Sequence, residues 1–261
     1  MVKIHPFSST GRSSIVLDKV NYYAGNFIVV HVKVDKESLK NVIPRIFETD
    51  GEALLSIREF VTVMGNRTDL LYDEPMLTQY NESAIGVKVY YEGGIFQYYP
   101  FMWVDKDFAT VRGWLNGFPK KMANIQLTKL HPLLPQANEP REGLTIGGYV
   151  SRGSSLLFKI KVTLKEKIEK PPSFGPTLLI RDYPAEGEGE ASVLELVRLD
   201  LQDLKFIDVW KGNAEIEIGW GVNDEVDSFK IEEIIDGYYY KVGFKISGTS
   251  LVRKLLESEL F

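Results

Sequence analysis

The stretch "VRGWLNGFPKK" (Val111–Lys121) sets two adjacent lysines after a proline and among Trp114, Leu115 and Phe118, with no acid between Val111 and Lys121. Neighbouring lysines at a turn are ordinarily solvated. An amine held inside an aromatic interior is a different chemical object: once uncharged it attacks a carbonyl and forms an imine. A helix stop at Gly117 is expected, Pro119 biases Phe118 toward extended backbone, and proline is tolerated at the first position of a strand. Lys120 is therefore expected to open a strand. Side chains alternate along a strand, so one lysine enters the interior and the other faces outward or toward a neighbouring element.

A free lysine with pKa near ~10.4 is protonated at neutral pH and cannot attack a ketone. Lowering that value by ~4 units means disfavouring the charged form by about 5–6 kcal/mol. A like charge ~6 Å away at an effective dielectric of ~20 supplies roughly 2–3 kcal/mol. Burial supplies up to ~3–5 units for a fully enclosed group, so the aromatic setting is expected to outweigh the second lysine. Arg112, Asn116 and Lys120 are spaced by four. If the helix continues far enough, the first two approach the lysine. Arg112 then either clamps a substrate carboxylate, a task that guanidinium geometry suits, or lies on an exposed helix face.

Other chemistries find little support. His5, His31 and His131 stand at no ligand spacing, and there is no cysteine, which removes thiolate catalysis and Cys-based metal sites. No G-x-S-x-G elbow, G-x-G-x-x-G fingerprint or Walker loop occurs. The net charge of −5 argues against nucleic acid as a partner. The start lacks the apolar core of a signal peptide, and no run approaches the ~20 apolar residues of a spanning helix. A soluble cytoplasmic protein without a membrane partner is the expectation.

The elements that must position these residues are mostly strands. Period-two apolar patterning marks Asn26–Val34, Ala53–Val63, Ser83–Tyr91 and Gly94–Val104, the last two joined by a hairpin turn at Glu92–Gly94. Further strands are expected at Gly143–Val150, Ser155–Lys165, Thr177–Arg181, Val193–Leu204, Ala214–Gly219 and Tyr238–Ile246. Three helices are expected: Asp35–Val42 behind a capping aspartate, Asp105–Gly117, and an amphipathic Thr249–Leu260. "KPPSFGP" and "PAEGEGEA" read as loops within one domain spanning residues 1–261. The fold class is a β-dominated α+β domain with a mostly antiparallel, barrel-like sheet around an interior cavity and a few flanking helices.

On four segments the chain resembles the acetoacetate decarboxylase family. "GFPKK" (Gly117–Lys121) is similar to that family's aromatic-Pro-Lys-Lys signature. "VDKESLKNVIP" (Val34–Pro44) is similar to its early helix, and "VWKGNAEIEI" (Val209–Ile218) to its late Trp-x-Gly segment. "YNESAI" (Tyr80–Ile85) resembles the segment that supplies an active-site glutamate, with Glu82 lying 38 residues before Lys120.

The resemblance implies that Lys120 forms the imine, that Lys121 is its cationic neighbour, and that Glu82 transfers protons; acetoacetate decarboxylase is itself the standing example of a lysine so activated. Glu82 is the best proton-transfer candidate, the alternative being a solvated loop carboxylate. A second family glutamate falls within "SIREF", where either Arg58 or Glu59 faces the cavity, since Ile57, Glu59 and Val61 share one face. Two departures stand out: the family's Arg-Glu before the lysines is Gly113–Trp114 here, and a family arginine ahead of the first long strand falls near Gly25.

The implied activity is a Schiff-base lyase that decarboxylates acetoacetate or a related β-keto acid. The same enamine could instead serve an aldolase or dehydratase, and a non-catalytic small-molecule-binding barrel is the alternative from another class. A small keto acid as substrate, no cofactor, because the lysine replaces one as electron sink, and a homo-oligomer complete what the resemblance implies.

Overall fold

The computed structural model describes residues 5–18, 20–184 and 193–261. Its strands are β1 (Asn21–Val34), β2 (Glu52–Met64), β3 (Gln79–Tyr91), β4 (Gly94–Val104), β5 (Lys120–Met122), β6 (Asn124–Leu127) and β7 (Thr145–Arg152). They continue with β8 (Ser155–Lys167), β9 (Thr177–Tyr183), β10 (Val193–Leu199), β11 (Gln202–Ile218), β12 (Ile231–Ile246) and β13 (Ser250–Lys254). The helices are α1 (Lys36–Leu39), α2 (Leu70–Asp73) and α3 (Asp107–Asn116). Most of the "PAEGEGEA" segment lies outside the described residues.

One hydrogen-bonded sheet runs β13-β10-β9-β4-β3-β2-β1-β12-β11-β8-β7-β6, with β5 beside β4. Pairing is antiparallel except at β4–β5 and β4–β9. The strand-dominated, mostly antiparallel fold is the expected one. The path has two ends, β13 and β6, so the sheet curls without closing.

Both faces of its central strands are covered, which explains the near-continuous apolar runs. On β1, Ile28, Val30 and Val32 face one core with Leu55, Ile57 and Trp103. The alternate residues Tyr23, Phe27 and Val29 face a second, aromatic-rich core with Phe60, Tyr80 and Met102. The candidate site opens in this second layer.

Several boundaries differ from those expected. The helix begun by the Asp35 cap, whose carboxylate accepts from the Glu37 amide at 3.2 Å, lasts only Lys36–Leu39. The expected strand Val193–Leu204 breaks after Leu199 and turns back as β11, which runs unbroken through the expected Ala214–Gly219 strand to Ile218. The expected C-terminal helix is not formed. Ser250–Lys254 instead adds an edge strand to β10, and only the short turn Glu257–Glu259 is helical. The apolar spacing of Leu251, Leu255 and Leu256 suggested a helix face, yet only Leu255 is buried. Pairing satisfies the free edge of β10, and Leu255 and Leu260 still reach the core without a helix.

Candidate active site

Helix α3 stops at Gly117, which takes φ 91°, while Pro119 cannot donate to a continued helix. The chain reverses and lays β5 parallel to β4, with Lys120 in register with Met102 and Lys121 with Trp103. The indole Nε1 of Trp114 donates to the carbonyl of Lys120 at 2.7 Å and fixes this turn from the helix side. Gly113 lies under the lysine stem: a Cβ there would stand 2.3 Å from Lys120 Cδ.

Alternation then separates the lysines. Lys120 enters the aromatic layer, 6% exposed, with Nζ 2.7 Å from Glu82 Oε2 and over the rings of Tyr80 and Phe118. Burial lowers its pKa, the Glu82 carboxylate opposes that shift, and the guanidiniums of Arg112 and Arg58 assist it. For Glu82, burial works upward, but the charges of Lys120 and Arg58 prevail and hold the carboxyl below its usual range.

Lys121 points through the opposite face. Its ammonium lies 3.3 Å from Asp224 Oδ1 and hydrogen-bonds the carbonyl of Asn223. Asp224, buried, also accepts from Trp103 Nε1 at 2.9 Å and Arg152 Nη1 at 3.1 Å. The expected role of Lys121 as cationic neighbour is corrected here: the cations that act on Lys120 are arginines.

The open choice within "SIREF" falls to Arg58. It is the residue paired with Glu82 across β2 and β3; its Nη1 donates to Glu82 Oε1 at 3.0 Å and its Nε to Ser56 Oγ at 2.9 Å. Glu59 faces the other way, bonded to Asn26 and paired with Lys129 at 3.2 Å.

Arg112 is 3% exposed and does not lie on an exposed helix face. Its Nη1 donates to Asn21 Oδ1 at 3.2 Å and Thr62 Oγ1 at 3.3 Å, the rings of Tyr23, Phe108 and Tyr80 surround the guanidinium, and Nη2 has no hydrogen-bond partner among the described residues. Asn116, one turn later, also lines the cavity and donates to the Arg112 carbonyl at 2.9 Å.

Lys120, Glu82, Arg58, Arg112 and Asn116 thus border one cavity of about 390 Å³. Among the described residues no three His, Asp or Glu side chains gather as a metal site. The arrangement is suited to condensing a ketone with a buried amine, moving a proton through an adjacent carboxylate and binding an anion at Arg112 Nη2.

Ser56, Tyr80, Gln97 and Tyr99 also line the cavity but were not singled out from the sequence. Ser56 shares its strand face with Arg58, and Tyr80 with Glu82, so the two-residue period could have found them.

The family model described as acetoacetate decarboxylase matches residues 5–256. The chain belongs to the acetoacetate decarboxylase family. An acetoacetate decarboxylase from Burkholderia vietnamiensis is 28% identical over 214 residues, 80% of this chain and 78% of that relative. One from Paraburkholderia phytofirmans is 26% identical over 212 residues, covering 80% and 77%. Among solved structures, an acetoacetate decarboxylase-like enzyme from Sphingomonas wittichii RW1 superposes with TM-score 0.90 at 28% identity, over 96% of this chain and 98% of that one. The enduracididine biosynthesis enzyme MppR, complexed with the condensation product of pyruvate and imidazole 4-carboxaldehyde, shares the fold with TM-score 0.87 at 21% identity, over 96% of each chain.

Within the acetoacetate decarboxylase family the two sequence departures now have a structural account. At Gly25 a Cβ would stand 2.3 Å from the Glu59 carbonyl oxygen, so no side chain fits there. At Gly113–Trp114, the glycine clears the lysine stem and the indole holds its carbonyl.

Proposed function

We propose that the chain is a Schiff-base lyase acting on a small keto acid, with Lys120 as the condensing amine. The observation that carries this reading is the 2.7 Å contact between Lys120 Nζ and Glu82 Oε2, both side chains more than nine-tenths buried beside the cavity. Transfer of the ammonium proton to Glu82 leaves a neutral nucleophile. Its nitrogen bonds to the keto carbon, the carbonyl oxygen leaves as water after taking two protons, and an iminium remains. With a β-keto acid, the bond to the carboxylate breaks and its electron pair moves into the iminium, giving carbon dioxide and an enamine. Protonation of the enamine carbon and hydrolysis return Lys120. The family and its curated acetoacetate decarboxylases support this outcome.

Arg112 favours a second outcome. A guanidinium on the substrate carboxylate stabilises the charge that decarboxylation must discharge, so a clamped carboxylate is better retained. With an α-keto acid, Glu82 removes a proton from the carbon beside the iminium, and the enamine adds to an aldehyde before water is lost. The MppR structures with pyruvate and with its condensation product support the same alternative at the level of the fold.

The test is borohydride reduction in the presence of acetoacetate or pyruvate. A mass adduct on the Lys120 peptide, absent from Lys120→Ala, is expected; carbon dioxide release against carbon-carbon bond formation then separates the outcomes. An unmodified peptide, under conditions that label a known Schiff-base enzyme, would leave a non-catalytic binding protein. The same reading makes this a cytoplasmic homo-oligomer, to be checked by fractionation and light scattering.

A further inference from the structure

The cavity is larger than a four-carbon acid needs. Its volume of about 390 Å³ lies in the ~300–1,000 Å³ range of sites that enclose drug-sized ligands. Its charged groups are gathered around Lys120, apart from Asp200, which is tied to Arg198 at 2.8 Å. Along the strands away from the Arg58–Glu82 row the wall is formed by Val29 and Leu54 and reaches Gln97 over Gly86, with the Tyr99 ring lying between Gly86 and Phe118.

Gln97 is held by its backbone, not its side chain. Its amide donates to the Pro176 carbonyl at 2.9 Å, and it pairs with Thr177 of β9. The carboxamide lines the cavity and makes no hydrogen bond among the described residues. It lies over Gly86, where a Cβ would stand 2.0 Å from Nε2. Gly86 is four residues along β3 from Glu82, a separation of about 13 Å at strand spacing. Allowing ~3 Å for a hydrogen bond leaves roughly 10 Å of ligand between the reacting carbon and the amide.

Resting on the Lys120 imine reading, we propose that this arm receives the substrate's tail and that Gln97 selects it: the keto acid carries a neutral, apolar stem of about 10 Å ending in a hydroxyl or amide. The carboxamide offers one donor group and one acceptor and no charge, which matches such a terminus. A charged tail would find Arg58 already paired with Glu82 and Asp200 with Arg198, so no free counter-ion there offsets its desolvation.

The probes are 6-(4-hydroxyphenyl)-2-oxohexanoate and 6-phenyl-2-oxohexanoate, which differ by one hydroxyl. Wild type should be trapped by borohydride at Lys120 at least about tenfold more efficiently with the hydroxylated acid. Gln97→Leu should bring the two within about threefold, and Gly86→Ala, which displaces the carboxamide, should do the same. Thermal melts confirm that each variant is folded, and Gln97→Met, which keeps the length of the side chain but neither donates nor strongly accepts, replaces Gln97→Leu with the same expected outcome if that variant does not fold. Equal trapping in wild type, or a preference that survives Gln97→Leu, overturns the proposal. Calorimetry with the ketone-free acids 6-(4-hydroxyphenyl)hexanoate and 6-phenylhexanoate separates the two readings. A hydroxyl preference in binding without any adduct removes the imine and keeps the Gln97 site, whereas adducts without a preference do the reverse.

Discussion

Lys120 and Lys121 are adjacent in sequence but belong to opposite faces of the sheet: one ammonium meets Glu82 at 2.7 Å and the other Asp224 at 3.3 Å. Asp224 is the buried meeting point of Lys121, Arg152 and the Trp103 indole. The second lysine therefore anchors the short strand that carries the first. Lys121→Met should leave the pH dependence of Lys120 trapping within ~0.3 units of wild type while lowering stability by about 1–3 kcal/mol, because it removes a partner of a buried carboxylate. Urea unfolding and the pH profile of borohydride labelling check the two halves. A shift of the labelling profile by a full unit would restore Lys121 as an electrostatic partner.

Glu82 acts on Lys120 in two opposed ways. Its charge raises the amine's pKa against burial, and its oxygen is within reach to take the amine's proton. Glu82→Gln should move the onset of imine trapping to lower pH, because the opposing charge is gone. Turnover should nevertheless fall by about 10²–10⁴-fold if the carboxylate carries the proton. Retained turnover with the shifted trapping profile would confine Glu82 to electrostatics.

Gly113 offers a test in which helix stability and function separate. Alanine is favoured over glycine inside a helix by about 0.8–1 kcal/mol, yet the new Cβ would stand 2.3 Å from Lys120 Cδ. Gly113→Ala should thus melt within a few degrees of wild type while imine trapping drops by about 10²-fold, the cost of displacing a reacting group by roughly 1 Å. Undiminished trapping would mean that the lysine stem relocates freely and that its seat is not built by α3.

How far these placements could be read from the chain depends on strand parity. The four-residue spacing of Arg112 and Asn116 and the simple alternation of Lys120 with Lys121 were legible because both rest on local geometry, whereas Lys120 meets Arg112 through the chain reversal at Gly117 and not by helix spacing. Arg58 against Glu59 was not, since β2 is covered on both faces and either parity gives an apolar wall. Gln97 was hidden for a different reason. Ile85 pairs with Phe101 but Val87 with Tyr98, so β4 holds one extra residue and its facing parity changes along the strand. Trp114 carried no signal, because its hydrogen bond to the Lys120 carbonyl depends on the chain reversal at Gly117. The C-terminal segment misled because 3.6-residue spacing does not report whether an unpaired strand edge is waiting nearby.

The burial of Lys120 also has a thermodynamic consequence, whose sign is fixed. Its pKa in the folded protein is lowered from the ordinary lysine value, chiefly by burial, whereas in the unfolded chain it titrates near ~10.4. Between those two values the unfolded state binds the additional proton, so the unfolding free energy rises with pH across that window. Glu82 acts in a separate range, since its depressed pKa contributes stability above about pH 4.3 that is lost as pH falls through the folded-state value. Lys120→Met removes the first dependence and, by taking away one of the cations that hold the Glu82 carboxyl down, weakens the second as well. Urea unfolding of both proteins from pH 6 to 10 should give a difference, wild type minus variant, that climbs with pH by at most about 1.4 kcal/mol per unit. A flat difference would mean that the amine keeps its proton throughout, and no neutral nucleophile would then be available at Lys120.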